Sequence, residues 1–111
     1  MFAENNFINS IDLSSFDFEK VTDMSKMFYK CKSLKSINLS SVKTKNVITM
    51  KQLFSECQSL ENINLCSFNT MNVTDMSEMF SDCTNLKNID LSYFNTQNVT
   101  DMSKMFLVVA I

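Results

Sequence analysis

Apolar residues recur along this chain at a fixed step of 26 residues. Phe28, Phe54, Phe80 and Phe106 keep that step, as do Met24, Met50, Met76 and Met102. Val21, Val47, Val73 and Val99 do the same, and so do Cys31, Cys57 and Cys83, and Leu34, Leu60 and Leu86. Such self-similarity marks a repeat architecture, in which one unit cannot bury its apolar stripe alone and stacked units can. The whole chain, residues 1–111, divides as a single repeat domain. Residues 1–20 are the back half of one copy, 21–46, 47–72 and 73–98 are full copies, 99–106 open another, and 107–111 form a divergent tail. The third full copy matches the first at 15 of 26 positions, far beyond chance.

Each copy reads as two elements. In VTDMSKMFYKC (21–31) the apolar residues fall at 21, 24, 27, 28 and 31. That spacing predicts one stripe of an amphipathic helix of about three turns. Thr22, Thr74 and Thr100 are the expected N-caps, each followed by an Asp at the positive end of the helix dipole. Ile48 stands in the Thr place of the middle copy, which moves the expected cap to Thr49. The second element is LKSINLSSV (34–42), LENINLCSF (60–68) and LKNIDLSYF (86–94). Ile37 and Leu39 alternate with polar neighbours there, the period of a short, half-buried strand. The closing turns fall to Asn69 and Asn95, because Asn tolerates left-handed backbone.

Stacking these units predicts strands in parallel register on one side and helices on the other. The step lies within the leucine-rich-repeat range, and L-x-x-I-x-L is close to its strand signature. The expected fold is therefore α/β: a leucine-rich-repeat-like, right-handed solenoid with one short parallel strand and one short helix per 26-residue repeat. Val42, Phe68 and Phe94 stand where the usual pattern has an inward Asn, so a wider and more apolar inner turn is expected.

Composition narrows the chemistry. His, Arg, Gly, Pro and Trp are absent. Without His there is no His-based acid, base or metal ligand, and without Gly no phosphate-cradling loop. The net charge of -2 and the missing Arg argue against nucleic acid as the main partner. No apolar run is long enough to span a membrane, so no insertion by this segment is expected. The first ten residues carry no basic and apolar signal pattern. No acid pair recurs and no base accompanies the Ser and Thr residues, so no catalytic residue is assigned. No cofactor or metal is expected.

Met24, Met27, Phe28, Met50, Leu53, Phe54, Met76, Met79 and Phe80 recur at helical spacing and read as core. Cys31, Cys57 and Cys83 lack the paired spacing of a metal site and read as a column of buried thiols. Cys66 replaces a Ser and should face outward. Asn38, Asn72 and Asn98 head glycosylation sequons, a frequent coincidence in an Asn-rich chain. The remaining candidate is a polar panel on the outward strand positions: Ser36, Asn38, Ser40, Asn62, Asn64, Cys66, Asn88, Asp90 and Ser92, with Tyr93 nearby. Repeat stacks commonly bind partners on such a face. The apolar tail Leu107–Ile111 breaks the pattern and reads as a truncated end, with self-association through uncapped ends expected.

The string NVTDMSEMFSDCTNLKNIDLSYFNTQNVTDMSKMF (72–106) resembles the BspA-like leucine-rich repeats of surface proteins, also described as a lipoprotein-associated repeat of unknown function. The resemblance covers about nine tenths of the chain. It implies a protein displayed at the cell surface, adhering to host proteins or to other cells, and supplies no catalytic residues. An intracellular interaction scaffold is the alternative, favoured by free thiols.

Overall fold

The computed structural model describes residues 2–107 and shows the repeats as layers of one stack. One Phe per layer holds the layers in line. The rings of Phe2, Phe28, Phe54, Phe80 and Phe106 form a continuous column, with neighbouring centroids 5.4 to 5.7 Å apart and planes within 8° of parallel. These separations suit aromatic stacking. Phe28, Phe54 and Phe80 are fully buried, with Met24, Met50 and Met76 and with Leu34 and Leu60 around them. The expected Met and Phe core residues are all buried, Met27 and Met79 included.

Backbone hydrogen bonds run between layers rather than along the chain. The N–H groups of Met24, Lys26, Phe28 and Lys30 donate to the carbonyls of Thr49, Lys51, Leu53 and Ser55 at 2.9 to 3.0 Å. The same ladder recurs from Met50 to Asp75 and from Met76 to Asp101, and onward along each segment. The intervening N–H groups of Met27, Tyr29 and Cys31 close turns onto Met24, Lys26 and Phe28. Single parallel bridges link Asp23 to Thr49, Thr49 to Asp75 and Asp75 to Asp101. Every second amide thus serves the neighbouring layer and every other one serves its own, so the buried backbone is satisfied without a helix.

The expected helix in each repeat is not formed, and the α/β solenoid with one helix per repeat is corrected accordingly. Among the described residues the regular elements are four short strands: β1 (Ser10–Asp12), β2 (Ser36–Asn38), β3 (Asn62–Ile63) and β4 (Asn88–Ile89). They form two separate two-stranded parallel sheets, β1 with β2 and β3 with β4. The reason is spacing. Adjacent helices need about 8–10 Å between axes, whereas strands need about 4.8 Å. A Phe column with a 5.4 to 5.7 Å step leaves room only for extended and turn-like chain.

The helix-like apolar spacing is met instead by consecutive tight turns. Lys26 and Lys30 have φ of 57°, and Gln52, Glu56, Glu78, Asp82 and Lys104 repeat that left-handed state. A non-glycine residue held there costs about 1–2 kcal/mol, which the interlayer amide ladder offsets. The expected Thr caps are corrected too. The Thr74 and Thr100 hydroxyls donate to the carbonyls of Ile48 and Thr74 in the preceding layer. Asp23 is the local acceptor instead, taking the Ser25 N–H at 2.8 Å in an Asx turn, and Asp75 and Asp101 do the same with Ser77 and Ser103. Thr49 keeps that place in the middle layer, accepting from Lys51 N–H at 3.3 Å.

Side chains add further rungs. Thr44 and Thr70 are buried, and each exchanges two hydrogen bonds with the backbone of Asn69 or Asn95 in the next layer. Asn46, Asn72 and Asn98 donate their amides to the carbonyls of Glu19, Lys45 and Met71 in the preceding layer. Val42 and Phe68 are buried at the apolar inner turn and Phe94 is half-buried. Of the divergent tail only Leu107 falls within the described residues. Phe54→Ala removes a ring stacked on both sides and should cost about 3–5 kcal/mol. Urea unfolding measures that loss, and far-UV circular dichroism of the parent chain should lack the double minimum of an α-helix.

Candidate functional site

The parallel register assembles the polar panel. Ser10 pairs with Ser36 and Asp12 with Asn38, while Asn62 pairs with Asn88. All nine panel residues are exposed: Ser36, Asn38, Ser40, Asn62, Asn64, Cys66, Asn88, Asp90 and Ser92. Ser36 and Asn38 lie on β2, Asn62 on β3 and Asn88 on β4. Asn64 and Asp90 follow their strands, and Ser40, Cys66 and Ser92 sit in the turns beyond. The first layer extends the panel with Ser10 and Asp12 on β1 and with Ser14 after it. Those three were not among the panel residues read from the sequence. Their signal was there, in the Ile11-Asp12-Leu13 triplet that keeps the repeat step.

The middle column is rigid because its side chains cap their own backbone. Asp12, Asn38, Asn64 and Asp90 accept the N–H groups of Ser14, Ser40, Cys66 and Ser92 at 2.8 to 3.1 Å. Across layers the Asn88 amide donates to the Asn62 side-chain oxygen at 3.3 Å. An open groove of about 670 Å³ lies over this face, with Asn62, Asn64, Asn88 and Asp90 on its walls and Ile37, Ile63 and Ile89 also lining it. Lys87 at its edge approaches Glu61 at 3.7 Å, with both side chains exposed. Such a pair contributes little to stability. The groove offers fixed amide and carboxylate groups above apolar side chains, which is recognition chemistry.

The carboxylates of the Asx turns are held below the usual range. The Ser14 N–H lowers Asp12, and the Ser92 hydroxyl and N–H lower Asp90. The hydroxyl and N–H of Ser25 do the same for Asp23, and those of Ser103 for Asp101. A depressed folded-state value stabilises the fold above the ordinary Asp value of about 3.9, and that contribution is lost as pH falls through the depressed value.

The thiols divide as expected. Cys31, Cys57 and Cys83 are buried and Cys66 is exposed, all four free. The S–H groups of Cys31, Cys57 and Cys83 donate to the carbonyls of Phe2, Phe28 and Phe54 at 3.0 Å. Each thiol therefore fastens its layer to the Phe column of the preceding one. Burial pushes all three thiols up, Cys83 to about 12. A thiol raised in this way is a poor nucleophile at neutral pH. Of the sequon residues, Asn72 and Asn98 are engaged through the very amide that a glycan would modify.

Stacked layers, interlayer ladders and one ordered polar face define a repeat protein. The model of the family described as "Mycoplasma protein of unknown function, DUF285" matches residues 1–110, and the chain belongs to that family. No curated protein and no solved structure matches it. Among the described residues no helix is long and apolar enough to cross a membrane.

Three outcomes are expected from these geometries. A thiol alkylating reagent should modify Cys66 in the native chain, and reach Cys31, Cys57 and Cys83 only after denaturation, as peptide mass spectrometry would show. In an NMR pH titration the Asp23 carboxyl should titrate below about 3.9, and Ser25→Ala should move it upward. Stability measured across the same range should fall as the medium is acidified through these carboxylates.

Proposed function

We propose that this chain is a non-enzymatic protein–protein interaction or adhesion module, one part of a cell-surface protein related to the BspA-like, lipoprotein-associated repeat proteins. The observation that carries the proposal is the register of the layers. Ser36, Asn62 and Asn88 recur at one position of the repeat and Asn38, Asn64 and Asp90 at another, all exposed, with Asn62 paired to Asn88 and with Asn62, Asn64, Asn88 and Asp90 lining one groove. Contacts made by one layer are repeated by the next at a constant step, so affinity accumulates through several weak contacts at once. The partner is a protein of a host or of another cell, bound without cofactor or metal. The panel residues act by hydrogen bonding; Tyr93, exposed beside Ser92, supplies the aromatic contact that often anchors an interface.

A second reading, an intracellular interaction scaffold, is favoured by one observation. The Cys31, Cys57 and Cys83 thiols serve as interlayer donors in their reduced form, and reduced thiols persist best in a reducing compartment.

Protease shaving of intact source cells distinguishes the two. Release of peptides such as SINLSSVK, with cytoplasmic markers retained, is the outcome expected of a displayed adhesin. Appearance of those peptides only after lysis would move the protein inside and replace host proteins with cytoplasmic partners.

A further inference from the structure

Charge is distributed unevenly over the layers. Eight of the ten lysines lie between residues 20 and 51, against a single acid, Asp23. Lys87 and Lys104, the other two, stand among the remaining eleven carboxylates. Because each repeat forms one layer, six of these lysines make the second layer, residues 21–46, a basic band, with Lys20 and Lys51 at its borders and acidic layers on either side. Several band lysines have a carboxylate at the equivalent position of an adjacent layer, as Lys30 has Glu4 and Glu56, and Lys35 has Glu61.

Lys20, Lys43 and Lys45 share one cleft. All three are exposed and line this cleft of about 460 Å³, together with Glu19 and Asn46. Among the described residues none of them comes within ion-pair distance of a carboxylate. Asp17 and Glu19 occupy the equivalent positions one layer earlier, but Asp17 turns its carboxylate onto the Glu19 N–H at 3.0 Å. Asn46 is fixed by its amide on the Glu19 carbonyl at 2.6 Å, which gives the cleft a rigid wall.

We propose that this cleft binds a compact oxyanion, a phosphate or sulfate group carried on a ligand. Three exposed lysines lining one concavity, against Glu19 as its one acidic residue, supply charge-assisted donors that suit a tetrahedral oxyanion, and a concave wall concentrates their field. The ligand is compact because the charge does not continue along the stack. The positions equivalent to Lys43 are Asp17, Asn69 and Asn95, and those equivalent to Lys45 are Glu19, Met71 and Gln97. A nucleic-acid backbone running across the layers would meet carboxylates on one side and neutral side chains on the other. The site shares no residue with the polar panel, so it stands apart from the adhesion reading.

Calorimetric titration of the whole chain at low salt, with inorganic pyrophosphate and separately with a fully sulfated disaccharide, tests the proposal. Saturable binding of at least one probe is expected, and the probe bound separates a phosphate-bearing ligand from a sulfated glycan. The Lys43→Gln/Lys45→Gln variant should weaken binding about five- to thirtyfold. The Lys26→Gln/Lys32→Gln variant, elsewhere on the band, should leave it unchanged. Thermal melts confirm that both variants are folded. Failure of both probes to saturate would overturn the proposal, as would equal weakening by the two variants. So would a DNA duplex that binds through Lys43 and Lys45 when neither compact anion does.

Discussion

The layer step set by the Phe column governs this molecule. Rings repeat every 5.4 to 5.7 Å from Phe2 to Phe106, and each layer must fit that thickness. Extended chain and tight turns fit it, because parallel backbones hydrogen-bond at about 4.8 Å. A helix in every layer does not. Removing one ring would therefore disturb two interfaces, and the buried Met, Leu and Cys side chains depend on the same alignment.

The interlayer bonds follow from that step. Backbone amides alternate between the next layer and their own turn. Thiols, threonines and asparagines fill the remaining rungs, each reaching a backbone group in a neighbouring layer. The three-Cys column, read from the sequence as buried thiols, supplies structural donors. Other polar side chains stay exposed at the surface of the stack. They include the Asn, Asp and Ser side chains along the strands, and lysines of the second layer.

The two proposed surfaces arise in different ways. The polar face is a product of repetition, since strand positions equivalent by sequence become neighbours in space. The lysine cleft is a product of departure from repetition, since Lys43 and Lys45 replace residues that are acidic or neutral in the other copies. Equivalent positions conserve the stack, and divergent ones are where one layer can acquire a property of its own.

Much of this was legible from the residues alone. The repeat step, the buried Met and Phe stripes, the inward Cys column and the outward panel all follow from spacing, because burial forces chemically similar residues onto equivalent positions. The short strands were legible from the alternation around Ile37 and Leu39. The helix was not correctly legible, for a physical reason. Apolar residues at 24, 27, 28 and 31 fit a helical face and a run of tight turns equally well. The choice between them rests on where each amide finds its acceptor. Helical bonds would lie within the segment, but the observed ones reach the next repeat. The tertiary structure alone decided that the layers lie one ring apart, that Lys26 and Lys30 adopt left-handed backbone, and that Asp23 caps a turn rather than a helix. Layer spacing is a property of packed neighbours, and no window of a single repeat contains it.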